Sequence, residues 1–191
     1  MSQTKILGEY AFRKTEMIAG FNFTAAGTFQ FFFSYGAVDR SAAGTFTVEG
    51  NTIKLTSNKE AGKDFTITAQ SKDATGYTIN FTHANKYLLQ NIYCVFFVNG
   101  EKQEAVTDNK GEIHVDLAHC DSIYAKHLLF PDIVTQVKDA GNENNRFTLA
   151  LNPSLEQLSF KGIDLTIEND GSLSWLPNYF LEMSGVKFIK Q

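Results

Sequence analysis

Cysteine, proline and tryptophan are scarce, at two, three and one in 191 residues. Two cysteines, Cys94 and Cys120, cannot build the disulfide framework of a small secreted domain, and at most allow one bridge. Cys94 lies in the longest unbroken apolar run, Ile92–Val98, and reads as a small core residue. That run falls far short of the ~20 residues a membrane-spanning helix needs, so no membrane span is expected. The N-terminal stretch Met1-Ser-Gln-Thr-Lys5 leads straight into strand-like sequence without the apolar segment of a secretory signal. The expected compartment is therefore cytoplasmic if the chain is complete, and periplasmic or secreted if a leader has been removed. Positive charge is also in short supply. With 17 Lys and Arg against 21 Asp and Glu the net charge is −4, and nucleic acid is not an expected partner. No Walker loop, dinucleotide fingerprint, nucleophile elbow or paired-carboxylate spacing occurs, so no catalytic residue and no cofactor is assigned.

What the chain does have is phenylalanine and alternation. Apolar residues make up 43% and charged residues 20%, enough to bury a sizeable core. Side chains alternate with period two almost throughout, the mark of strands. Met17, Ala19, Phe21 and Phe23 share one face, and Phe29, Phe31, Phe33 and Tyr35 another. Phe46/Val48, Ile53/Leu55, Phe65/Ile67/Ala69 and Tyr77/Ile79/Phe81 continue the pattern, with turns at Ala26-Gly27, Glu49-Gly50-Asn51 and Thr75-Gly76. About seven short strands are expected over residues 6–83. The rhythm breaks at 84–90, and Ile92–Val98 then reads as a central strand ending in the Asn99-Gly100 hairpin turn. Further strands are expected at 122–127, 146–151, 158–167, 172–176 and 185–189, and a short helical turn at Pro153. The predicted fold class is all-β: two small packed antiparallel β modules, barrel-like or sandwich, over residues 1–87 and 88–191, with very little helix.

Three stretches resemble known families. Gly8-Glu-Tyr10 is similar to the Gly-x-aromatic opening of lipocalin-like domains. Ala19-Gly-Phe21, Gly27-Thr-Phe29, Tyr35-Gly-Ala-Val-Asp-Arg40 and Gly44-Thr-Phe46 resemble the YGAxD pattern of a family of uncharacterised bacterial proteins. Val98-Asn-Gly-Glu101 with Ala105-Val-Thr-Asp-Asn-Lys-Gly111 resembles the hairpins of carboxypeptidase-regulatory-like β-sandwiches. The resemblances imply a lipocalin-like meander followed by a sandwich module, and no catalytic residues.

Eight of the 17 phenylalanines fall between Phe12 and Phe46. Phe21, Phe23, Phe29, Phe31 and Phe33, with Tyr35, either line an apolar ligand pocket in a hollow barrel or fill a core. Phe32 lies on the opposite face, beside Gln30 and Ser34. Asp39 and Arg40 are either polar groups at a cleft or a turn carboxylate and a surface cation. His114, His119, Cys120, Asp121 and His127 form a cluster whose spacing matches no zinc motif, so no metal is assigned. The loops at Asp108–Gly111, Asp139–Asn145 and Asn169–Gly171 have the composition of tight turns more than of calcium sites. Trp175, Tyr179 and Phe180 either form a stacking platform or anchor the last strands. The expected function is a non-enzymatic binding or interaction module. The alternative is a carrier of a small apolar ligand, with Phe21, Phe23, Phe29, Phe31, Phe33, Tyr35, Asp39 and Arg40 as its binding residues. The expected partner is a protein or a small apolar ligand, and exposed edge strands would permit a homo-oligomer.

Overall fold

The computed structural model describes residues 6–36, 38–73, 75–130, 133–175 and 183–191, with backbone only at 162–164. The first five strands are β1 (Gly8–Lys14), β2 (Met17–Phe23), β3 (Thr28–Tyr35), β4 (Val38–Glu49) and β5 (Thr52–Ser57). Next come β6 (Phe65–Ser71), β7 (Tyr77–Thr82), β8 (Ile92–Val98), β9 (Glu101–Val106), β10 (Glu112–Val115), β11 (Ser122–His127), β12 (Thr135–Lys138) and β13 (Arg146–Leu151). The last three are β14 (Lys161–Ile167), β15 (Leu173–Ser174) and β16 (Lys187–Lys190). The helical segments include two 3-10 turns, Lys86–Leu89 and Pro153–Glu156, and among the described residues no helix longer than these occurs. The chain is all-β, as its alternation requires.

Two compact units emerge: residues 1–60 with 156–191, and residues 61–155. This differs from the division expected at 87/88. The break in alternation at 84–90 is a 3-10 turn between β7 and β8, inside the second unit, where the Asn85 side chain accepts from the Tyr87 N–H at 3.1 Å. Alternation marks which face a residue takes and not which strand it pairs with, so β6 and β7 read in sequence like continuations of the first five.

The first unit is a closed eight-stranded barrel in the order β1-β2-β3-β4-β5-β14-β15-β16, with β16 returning to β1. Every pair is antiparallel. Burial alternates from Thr28 to Phe33 on β3 and from Asp39 to Thr47 on β4, with aromatic and small residues and Arg40 inward, and mostly Thr, Gln and Ser outward beside Phe32. This is the reverse of the apolar-out, polar-in order that a lipid-facing barrel needs. Register sets large residues against small ones: Phe29 pairs with Gly44 and Phe31 with Ala42. The rings then reach across the lumen. Phe21 lies 4.6 Å from Phe31, 5.0 Å from Phe188, 5.9 Å from Phe160 and 6.0 Å from Trp175 between ring centroids. Each buried ring contributes ~1.5–3 kcal/mol, and each good ring pair ~0.5–1.5 kcal/mol more.

The second unit holds two four-stranded sheets, β10-β7-β13-β6 and β12-β11-β8-β9. Tyr77 of β7 meets Phe96 of β8 edge-on at 6.3 Å, so the inner faces of the two sheets touch as in a sandwich. Asn99 and Gly100 both have positive φ, 52° and 84°, which gives the β8–β9 hairpin the twist its strands need. Alternation misled at β6: of Phe65, Ile67 and Ala69 only Phe65 is buried, because β6 is an edge strand. Among the described residues no helix is long and apolar enough to cross a membrane.

Gly44 has no room for a side chain. A Cβ there would lie 2.0 Å from the Thr56 carbonyl oxygen of β5. Gly44→Ala should therefore push β4 from β5 and cost about 1–3 kcal/mol. Urea unfolding followed through Trp175, which sits in this barrel, checks this, and an unchanged midpoint contradicts it.

Candidate functional site

The interior residues singled out by the sequence lie together. Phe21, Phe23, Phe29, Phe31 and Phe33 all face inward and are buried. Tyr35, at the end of β3, is half exposed, and Asp39 is exposed opposite Ser34. Arg40 is not a surface cation. It is 3% exposed and points into one end of the barrel. Its Nε donates to the Glu156 carbonyl at 3.2 Å and its Nη2 to the Gln157 carbonyl at 3.0 Å. Lys59, also buried, donates to the same Gln157 carbonyl at 2.9 Å. The parity of β4 holds the signal for this: Arg40 is in step with the inward Ala42, Gly44 and Phe46.

These cations pin the segment entering β14 onto β4. Gln157 bridges to Ser41, and the Leu158 N–H donates to the Ser41 carbonyl at 2.8 Å. Phe160 follows and enters the ring cluster, 5.1 Å from Phe31 and 5.8 Å from Phe29. The lumen is thus occupied by contacts between rings from different walls.

The outer wall differs. Register places Ala11, Gly20, Phe32 and Ser41 in one row across β1–β4, and Glu9, Asn22, Gln30 and Ala43 in the next. The Phe32 ring lies over Gly20, where a Cβ would meet ring carbons at 2.5 and 2.9 Å. The ring is held there yet 47% exposed. Short side chains at Ala11, Ser41 and Ala43 leave a groove of about 700 Å³, bordered by Phe32, Asn22 and Gln30. Asn58, Lys59 and Gln157 border it on the β4 side and Glu9, Arg13 and Gln191 on the β1 side, and the inward-facing residues Phe21, Phe31, Ala42 and Leu158 also line it. The Asn58 N–H donates to the Ala43 carbonyl at 2.8 Å, which fixes that border to the wall. The sequence showed Phe32 as outward. It did not show the depression, which depends on register bringing small residues from three strands side by side.

No protein-family model, curated protein or solved structure matches the chain.

The His/Cys cluster has a structural explanation. Both cysteines are free thiols and both are buried. Cys120 Sγ donates to the carbonyls of Ser122 at 3.2 Å and Phe97 at 3.4 Å, and burial raises its pKa. Such a thiol is the opposite of an activated nucleophile. His127 is buried, with Nδ1 accepting from the Leu129 N–H at 3.1 Å, and exposed His114 lies 3.1 Å from the Thr78 hydroxyl. His119 Nε2 lies 2.9 Å from Asp121 Oδ1. In the acidic loops, Asp108 accepts from the Lys110 and Glu112 N–H groups, both at 2.9 Å, and Asp139 from Gly141 at 3.0 Å. These are turn bonds. Among the described residues no group of three or more His, Cys, Asp and Glu could hold a metal ion. Trp175 is part of the barrel core, while Tyr179 and Phe180 lie outside the described residues.

The Asp121 carboxylate is held below its usual range, first by the Asn99 N–H at 2.7 Å and then by His119. A lowered carboxylate pKa stabilises the fold above the unfolded value of about 3.9, and that stability is lost as pH falls through the folded value. An NMR titration should place the Asp121 midpoint below about 3.9, and Asp121→Asn should flatten the acid limb of stability against pH. A midpoint at or above the ordinary value contradicts this.

Proposed function

We propose that the protein is a non-catalytic binding module that recognises its ligand through the outer wall of the barrel, at the Phe32 groove. The filling of the interior carries this proposal. Phe21, Phe31, Phe160, Trp175 and Phe188 meet one another across the lumen, and an apolar cargo would have to part them. Close-packed rings resist this, because each methylene-sized opening forfeits contact energy. The outer wall offers a preformed depression with an exposed ring and hydrogen-bonding side chains.

The architecture supports the resemblances without adding an activity. A closed barrel in which each strand pairs with the next is the up-and-down arrangement of lipocalin-like proteins. The sandwich edges argue for recognition elsewhere. Edge strand β9 carries Glu101, Lys102 and Glu104, and edge strands β10 and β12 have four residues each. The register of edge strand β6 against β13 is interrupted by a bulge beside Thr148. Charge, shortness and bulges all discourage edge-to-edge pairing.

A fragment library screened by backbone-amide NMR should give shifts that cluster at Asn22, Gln30, Phe32 and Ser41. A fatty acid such as oleate should leave the Phe21, Phe29 and Phe31 signals unmoved. Saturable oleate binding that shifts those interior signals would overturn the proposal in favour of the carrier.

A further inference from the structure

Resting on the groove just proposed as the binding surface, we infer that its ligand is a short neutral saccharide chain, stacked on Phe32 and hydrogen-bonded by the carboxamides around it. Three properties of the wall lead there.

The main chain beneath the groove has little to offer. β2 and β3 pair on both sides, β1 also pairs with β16 at Tyr10 and Ala11, and the Ser41 and Ala43 carbonyls of β4 already accept from the Leu158 and Asn58 N–H groups, so the described main chain under the groove leaves little for an extended peptide to pair with. Recognition must come from side chains. Five carboxamides border the groove; Gln191 donates to the Ile189 carbonyl at 2.8 Å, and the side chains of the other four, Asn22, Gln30, Asn58 and Gln157, make no hydrogen bond to the protein among the described residues. Asn22 and Gln30 are direct cross-strand partners, and still neither is bonded to the other. A carboxamide carries two N–H donors and a carbonyl acceptor. That matches a hydroxyl, which also donates and accepts, and it suits neighbouring hydroxyls on a sugar ring better than a phosphate or a carboxylate.

Charge points the same way. The ionisable border is one acid, Glu9, and two bases, Arg13 and Lys59, a net of a single positive charge, and the Lys59 ammonium already donates to the Gln157 carbonyl. The groove therefore has no strong field of one sign to select an anion. A purely apolar ligand is disfavoured by the same polar border, since groups that face it would lose water without replacement.

The third property is the ring itself. Phe32 rests over Gly20, in contact with the β2 backbone, and is nearly half exposed. A ring held in place loses little side-chain freedom on binding. Its π-face is an apolar platform for the C–H face of a pyranose, while the hydroxyls at the edge of the sugar reach the amides. The volume, about 700 Å³, lies within the ~300–1,000 Å³ span of small-molecule sites.

The test is calorimetry and saturation-transfer NMR on the full chain with cellohexaose, maltohexaose, xylohexaose and chitohexaose, and in parallel a random-peptide display selection. At least one hexasaccharide should bind, with saturation transferred to its ring C–H protons. Phe32→Ala and Gln30→Ala should each weaken it about tenfold or more, and Phe32→Trp should keep it. Both alanine variants are at exposed positions, and an unchanged urea midpoint by Trp175 fluorescence shows that the barrel is intact. If no hexasaccharide binds while selected peptides bind in a Phe32-dependent way, the saccharide inference is overturned and the groove stands. If a hexasaccharide binds equally well to wild type and both alanine variants, this inference and the groove fall together.

Discussion

The ring cluster around Phe21 is the contact on which the barrel depends. Phe21 of β2 touches Phe23, Phe29, Phe31, Phe160, Trp175 and Phe188. The last three come from the far end of the chain, so the cluster closes the barrel and joins sequence-distant segments at once. The intervening residues 61–155 form a unit of their own. Were that stretch a flexible loop, closing it would cost about 4 kcal/mol, growing only logarithmically with length. Burying the three returning rings contributes ~5–9 kcal/mol. The balance favours closure even before ring-pair terms, and a folded insert lowers the cost further. The inserted unit is therefore tolerable because the core that spans it is aromatic.

Small and charged inward residues of β4 sit around the cluster. Ala42 stands opposite Phe31 and Gly44 opposite Phe29, and at Gly44 it is the β5 backbone at Thr56 and Ser57 that leaves no room for a side chain. Arg40 occupies the next inward position, opposite Phe33, where the barrel ends and carbonyls of Glu156 and Gln157 are within reach. A buried guanidinium there is compensated by hydrogen bonds, and it ties the strand after the insert to β4.

Much of the barrel was legible from alternation. The inward set Phe21, Phe23, Phe29, Phe31, Phe33, Phe46 and Ile53 follows from period two alone, and strands at 122–127 and 146–151 fall where their apolar residues put them. Pairing was not legible. β6 and β7 alternate like β1–β5, but their partners are β13 and β10, and only tertiary context separates the two groups. Arg40 was readable by parity and overridden by the habit of placing cations outside. The groove was half legible: Phe32 and Gln30 face outward by alternation, but the depression arises from Ala11, Gly20, Ser41 and Ala43 meeting in register. Composition cannot show that.

A solid interior and a receptive wall are two sides of one claim, since a barrel without room inside has only its surface for recognition. Xenon finds apolar cavities that stay dry, so it probes the claim directly. Crystals pressurised with xenon should show no xenon among Phe21, Phe31, Phe160 and Trp175. An ordered xenon atom at that position would mean that the lumen is hollow, and would contradict the account.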